Sequence, residues 1–419
     1  MTILPFRAFR FNPFRVGRLG DVVTQPYDKI DTAMQAAYYR RSPYNIVRII
    51  KSREVGVRGD EGYIVTGRLW SQWLQEGILV QENDPAYFLY RQKFSVDEKQ
   101  YVRHALVGLL DLNRSDRVLA HERTFSGPRM DRLKLIRQTE SNDGLIFLLY
   151  RDSGGSLGEL AETVVGELPL ESVVDEYETQ NEIFRLPPSC WQRVESVLNN
   201  SDFVIADGHH RFAVALQFMK ECRAKNWKPV ATESFDKRMV ALVEMSDPGL
   251  LILPTHRVLF GIGGFSLASW EKRMSALFEK QQAQDLVDLL RRLRAAGASS
   301  FGVLASNRWA VWTRRQPPSE EELDVAILHQ DILDRTLGIT EQQVADESRI
   351  RYFRAAAEAA QDVKLGNGQL AFFLNPTRIE QVEGCARRNQ MMPQKSTDFF
   401  PKMLSGLLFM KMEIDKQQR

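Results

Sequence analysis

Phe203-Val204-Ile205-Ala206-Asp207-Gly208-His209-His210-Arg211-Phe212 is the stretch on which the fold and chemistry of this chain turn. The four apolar residues 203–206 read as a short buried strand, and Phe212, Ala215, Leu216, Met219 and Cys222 then recur at helical spacing. A strand therefore runs into a helix, with Asp207, Gly208, His209, His210 and Arg211 at the junction. A helix start presents unpaired N–H groups and the positive end of the dipole, so it accepts phosphate or carboxylate, and Arg211 adds a two-pronged donor. The histidines can donate, carry protons or ligate a metal. As plain structure, the run is a helix capped by Asp207. Cations at a helix N-terminus, however, oppose the dipole by a few tenths to about 1 kcal/mol each, and a bound anion removes that penalty. Adjacent histidines on one backbone diverge and no helical HxxxH or HExxH partner is present, so anion binding is favoured over zinc.

Working outward, 419 residues are too many for one ordinary core and suit two or three domains. Lys plus Arg, 56, nearly cancel Asp plus Glu, 54, so no global field points to nucleic acid or an anionic membrane. Cys190, Cys222 and Cys385 are far apart, which argues against a disulfide scaffold or structural zinc and fits a reducing cytoplasm. The N-terminus lacks the apolar core of a signal peptide, and no run of 18 apolar residues exists to span a membrane. A cytoplasmic protein is expected.

The periodicities predict helices over 31–41, 61–80 and 131–140, and strands over 45–50, 86–94, 101–112 and 145–150. A helix near 191–198 leads into the opening motif, and 239–245 reads as another strand. Beyond 251 the pattern predicts helices at 266–279, 283–296, 321–337 and 377–389. Strands are predicted there at 301–305, 309–314, 370–374 and 406–412. The fold class is therefore α+β, with a core over 1–250 and a C-terminal α+β lobe over 251–419 whose last segment returns to the site.

Several other clusters carry chemically capable groups. His121-Glu122-Arg123-Thr124 sets a proton carrier, a carboxylate and two phosphate-capable donors side by side, although such a tetrad is more often a surface network. Pro26-Tyr27-Asp28 is a turn that can bring one carboxylate to a site edge. Thr255-His256-Arg257 follows Pro254 with the same two readings. Pro393-Gln394-Lys395-Ser396-Thr397 offers a lysine and two hydroxyls but lacks the glycines of a Walker loop. Arg291, Arg292 and Arg294 read as the solvated face of an amphipathic helix.

These motifs recur together in one family. Pro5-Phe6-Arg7-Ala8, Pro26-Tyr27-Asp28, His121-Glu122-Arg123-Thr124 with Asp131-Arg132-Leu133, Asp207 to Arg211, Leu253 to Arg257 and Met392 to Thr397 resemble, in order and over nearly the whole chain, domain-of-unknown-function family 1015 of bacteria. The Asp-Gly-His-His-Arg run after a strand also looks like the signature of the ParB and sulfiredoxin superfamily, and like its ADP-dependent free-serine kinases. That wider resemblance implies a ParB/sulfiredoxin-like mixed core in which Gly208, His209, His210 and Arg211 contact a nucleotide phosphate chain. His209 stands where sulfiredoxin has its cysteine, and no helix-turn-helix can be placed, so phosphate handling is what the resemblance leaves.

The function expected is a nucleotide-dependent phosphotransferase or phosphohydrolase acting on a small polar metabolite, with ATP or ADP and Mg2+ as cofactors. His209 and His210 would donate to the transferring group, Glu122 or Asp28 would be the general base, and Asp207 would hold the metal. Gly208, Arg211, His121, Arg123, Thr124, His256, Arg257, Lys395, Ser396 and Thr397 would bind phosphate and substrate. The alternative is a non-catalytic nucleotide or metabolite sensor. The partner expected is a small molecule bearing phosphate or carboxylate, with neither membrane nor nucleic acid.

Overall fold

The alternating segments near 86–94 and 101–112 become one long hairpin, Phe88–Val96 and Lys99–Asp111, turned by Asp97 and Glu98 at φ 48° and 63°. Two successive left-handed residues give the turn whose twist matches that of the flanking strands. A computed structural model describes residues 1–122, 126–152, 154–316 and 322–416, and the fold is α+β. The chain divides into two compact units. The first holds Met1–Ala120, Thr124–Leu251 and Pro401–Arg419, and the second holds His121–Arg123 and Ile252–Phe400.

In the first unit the hairpin sits inside a mixed sheet of nine strands among the described residues. Across it run Val118–Leu119, Phe203–Asp207, Ile146–Tyr150, Lys237–Glu244, Lys99–Asp111, Phe88–Val96, Gln180–Arg185 and Glu171–Val174, with Ile3–Leu4 also paired to Lys99–Asp111. Phe203–Asp207 lies between Val118–Leu119, parallel to it, and Ile146–Tyr150, antiparallel. All five residues of Ile146–Tyr150 are buried, as expected of an interior strand covered on both faces. A separate apolar cluster joins Tyr38, Trp70, Trp73 and Phe409 to the helices Thr32–Arg41 and Asp60–Gln75.

Three expectations fail in this unit, the first being the helix over 61–80, which ends at Gln75 before the strand Leu79–Gln81. Residues 45–50 form no strand, because Asn45 accepts the Val47 N–H at 2.9 Å and donates to the Asp21 carbonyl at 2.8 Å, turning the chain into the short helix Val47–Ile50. Ile46, Val47, Ile49 and Ile50 are all buried there, at a spacing a short helix satisfies as well as a strand. The strand expected at 406–412 shrinks to Met410–Lys411, since Gly406 takes a left-handed conformation at φ 106° and breaks the extended run.

Among the described residues the second unit holds a six-stranded antiparallel sheet in the order Phe278–Ala283, Arg308–Arg314, Ser300–Ala305, Leu370–Phe373, His256–Leu259, Ile350–Phe353. Its strands feed two cores with a period of two. Phe301, Val303, Trp312, Leu370 and Phe372 point to one face, and Leu304, Trp309, Val311, Ala371 and Phe373 to the other. Leu267–Leu277 covers the first face and Leu286–Ala296 and Ala356–Lys364 the second. The helix expected over 321–337 begins at Asp324, passes through the π-helical stretch Leu328–Asp334 and ends at Leu337; residue 321 lies outside the described residues. On Leu286–Ala296, Arg291 and Arg292 pair with Asp288 on the outer face.

Candidate functional site

The junction predicted between 206 and 212 is present: the strand Phe203–Asp207 ends, Gly208 turns at φ 99°, and the helix His209–Ala224 begins. Phe212, Ala215, Phe218, Met219 and Cys222 bury its inner face. Asp207 does not cap the helix. Gly208 is the N-cap and has no side chain with which to bond the first-turn N–H groups. Arg211 folds back over the turn instead, donating one guanidinium nitrogen to the Leu145 carbonyl and the other to Asp207 Oδ2. Lys402 Nζ donates to the other carboxylate oxygen of Asp207 at 3.2 Å. Two cations thus share one half-buried carboxylate, whose negative charge offsets the dipole penalty that the sequence posed.

Electrostatics shows what else gathers at this turn. Burial acts to raise the Asp207 carboxyl, but the charges of Lys402, Arg211 and Lys29 outweigh it and hold the group well below the usual carboxylate range. Burial pushes the His209 imidazole down to about 4 against the opposing field of Asp207, so it is neutral at pH 7. His210 is also lowered by burial, with the Asp28 charge working the other way and Arg129 reinforcing the shift. Tyr27 is raised by burial and feels Arg132, Arg211 and Asp28, and its ring lies 4.1 Å from the Arg132 guanidinium carbon. Arg132 itself is held by Asp131 at 2.8 Å and the Ile50 carbonyl at 2.7 Å.

Four segments of the first unit therefore converge: Tyr27 to Lys29, Arg129 to Arg132, Asp207 to Arg211, and Lys402. Of the expected site residues, Asp28, Asp207, Gly208, His209, His210 and Arg211 are among them. Lys29, Arg129, Arg132 and Lys402 were not among the expected site residues, although Arg132 stands in a quoted motif and Lys29 and Arg129 lie within two positions of one. Arg129 reaches Gln217 Oε1 at 3.3 Å, while its Nε is buried without a partner.

The remaining expected residues fall in the second unit or outside the described residues. Arg123 and Thr124 lie outside them. His121 is fully buried and its carbonyl accepts the Met392 N–H at 2.8 Å; Glu122 bridges to Met392 as well. Arg257, on the strand His256–Leu259, spends its guanidinium on the carbonyls of Thr255 and, at 2.9 Å, Lys395. Burial draws it down to about 10, with Tyr352 opposing. His256 Nδ1 accepts the Leu374 N–H at 3.4 Å, and burial pushes that imidazole to about 4. Lys395 is exposed and contributes its carbonyl to Arg257, Ser396 Oγ donates to the Pro393 carbonyl at 2.6 Å, and Thr397 is half-buried.

Among the described residues no group of three His, Cys, Asp or Glu side chains is placed to hold a metal, and no helix is long and apolar enough to cross a membrane. A family model described as "Protein of unknown function (DUF1015)" matches residues 3–334. The chain belongs to the DUF1015 family. No curated protein matches it. Among solved structures, this DUF1015 protein is similar to a free serine kinase mutant in complex with AMP, at 13% identity over 71% of this chain and 91% of that one, with a TM-score of 0.37. A conserved hypothetical protein from Pyrococcus furiosus matches at 12% identity over 71% and 94%, TM-score 0.35. C-terminally truncated SbnI from Staphylococcus aureus matches at 11% over 71% and 85%, TM-score 0.35.

Proposed function

We propose that the first unit takes the phosphate chain of a nucleotide at the start of the helix His209–Ala224 and transfers a phosphoryl group to a hydroxyl of a small polar metabolite. The observation that carries this reading is the gathering of Asp28, Lys29, Arg129 and His210 around a helix start whose N-cap is a glycine. First-turn N–H groups, Lys29 and Arg129 supply charge for the phosphates, which is most of what phosphoryl transfer asks of a protein. His210, neutral at pH 7, gives one N–H donor to the transferring group. Arg211 is a positioning residue, because both its forks are occupied by Leu145 and Asp207.

In the transfer, the acceptor oxygen bonds to the terminal phosphorus as the bridging P–O bond breaks. The shortened nucleotide leaves with that electron pair, and the acceptor proton passes to the Asp28 carboxylate. With water as acceptor the same geometry gives hydrolysis. The metal role expected of Asp207 is not kept, because Arg211 and Lys402 take its two oxygens; a nucleotide-borne magnesium ion would be held chiefly by waters and phosphate oxygens.

Calorimetry with ADP and ATP tests the binding, and phosphoryl transfer to a pool of small hydroxylated metabolites tests the chemistry. The intact protein is expected to bind both nucleotides, and His210→Ala to weaken binding about tenfold, the worth of one good hydrogen bond. Asp28→Asn is expected to keep binding and to lose transfer by about 10²–10⁴-fold. Absence of nucleotide binding in the intact protein would overturn the reading. Binding without turnover to any acceptor or water would leave a sensor.

A further inference from the structure

A cavity of about 20 Å³ in the first unit is lined by Arg132, Arg211 and Arg238, together with Asp143, Ser141 and apolar side chains. The three arginines are 9%, 9% and 4% exposed. Arg132 has Asp131 and Arg211 has Asp207 as counter-charges. Arg238 has no ion pair among the described residues: it donates to the Gly144 carbonyl at 3.0 Å, and its Nε is buried without a partner. Burial and the nearby Arg211 draw Arg238 down to about 10, with Asp143 opposing, which leaves it charged at pH 7. Three cations and one carboxylate therefore face a single small space. An isolated charge taken out of water is held there at a cost of several kcal/mol unless a counter-charge joins it.

We propose that this cavity is a built-in site for one monovalent anion of chloride size, balancing the charge of Arg238 beside Arg132 and Arg211. The space is a little larger than the minimum that admits one water, so a monatomic halide fits and a nucleotide phosphate does not. Water in this space would leave Arg238 without a bonded counter-charge. Because Arg211 lines the cavity and also bonds Asp207, the anion would fix the guanidinium that folds over the Gly208 turn. The inference stands on the cavity alone and does not depend on nucleotide binding.

Thermal unfolding in potassium chloride against potassium gluconate at matched ionic strength reads the site, since an anion bound to the folded state raises the transition. The intact protein is expected to gain about 2–4 °C for each tenfold rise in chloride above half-saturation. Bromide should do the same, and Arg238→Met should remove the dependence. Chlorine-35 NMR on the intact protein needs no variant: the line should broaden on adding protein and narrow again when bromide displaces the ion. Identical transitions in chloride and gluconate with no line broadening would overturn the proposal and assign the space to water. A chloride response undiminished in a folded Arg238→Met variant would overturn it as well.

Discussion

Each unit buries an arginine beside a histidine on or next to a strand, and the two are neutralised differently. In the first unit Arg211 shares Asp207 with Lys402, so a carboxylate and two cations form a charged group at a helix start. In the second, Arg257 is 1% exposed and meets carbonyl oxygens of Thr255 and Lys395, with the Tyr352 ring 5.6 Å away. A charge held by carbonyls ties loops to a strand and offers little to an arriving anion. A charge held by a shared carboxylate, with further cations around it, builds a local field whose strength a ligand can use. The difference is what favours the first unit for the proposed chemistry, while Arg257 ties its loops to a strand.

That contrast predicts unequal penalties for the same substitution. Arg211→Met leaves a half-buried Asp207 with Lys402 still bonded to it and the Leu145 carbonyl without its donor. Breaking one partner of such a group costs about 3–5 kcal/mol. Arg257→Met leaves no carboxylate behind and strips two carbonyls of one hydrogen bond each, which costs about 1–3 kcal/mol. Amide hydrogen exchange in Phe203–Asp207 and in His256–Leu259 reads each loss where it occurs. Equal losses in the two strands would erase the distinction between the arginines.

Sequence reading reached the strand, the glycine turn and the helix of the first unit because local pattern decides all three. Asp28 was also within reach, as a carboxylate in a turn. Lys402 and Arg129 were out of reach for a physical reason. Their role depends on which charge they meet, and Lys402 meets Asp207 across 195 positions of chain. Residues 45–50 show the opposite limit: the apolar run was read as a strand, and its helical form was set by Asn45 bonding the backbone at Asp21 and Val47. The carbonyls that occupy Arg257 were equally invisible, because any residue type can supply one.

Acid separates the units by a smaller margin. His256 and His329 in the second unit and His209 in the first are each pushed by burial to about 4, against an ordinary value near 6.5. Each is neutral when folded, so between pH 6.5 and 4 the unfolded chain binds more protons than the folded one. The stability these groups contribute is present above 6.5 and lost as pH falls toward 4, at up to about 1.4 kcal/mol per pH unit for each histidine. In the first unit burial also lowers His104 and His210, while Asp247, pushed up to about 6 by burial, and Glu171 and Asp175, raised by burial, work the other way, their contribution being present at low pH and lost as pH rises. In the second unit Asp324 alone among the described carboxyls does so. Hydrogen exchange between pH 6.5 and 4.5 is therefore expected to rise more steeply in the second unit. His256→Gln and His329→Gln should each flatten that slope by about one proton, and a steeper slope in the first unit would reverse the ordering.

The smallest effect concerns the turn itself. Gly208 sits at φ 99°, where an added Cβ would also lie 3.3 Å from the Arg211 guanidinium, whereas Gly263 in the second unit has open space and no left-handed backbone. Gly208→Ala is expected to cost about 1–2 kcal/mol, the penalty of an L-residue in left-handed backbone. Gly263→Ala should be neutral or stabilise by up to about 1 kcal/mol through the unfolded state. Two causes are folded into the first number, and Gly208→Asn separates them in a urea titration. Asparagine carries the same Cβ as alanine but tolerates left-handed backbone better. If the backbone dominates, the asparagine variant recovers part of the loss; if crowding of Arg211 dominates, it loses as much as alanine does. In the second case the arginine, rather than the glycine, sets the shape of the turn, and nucleotide affinity should fall in step with the Arg211–Asp207 pair.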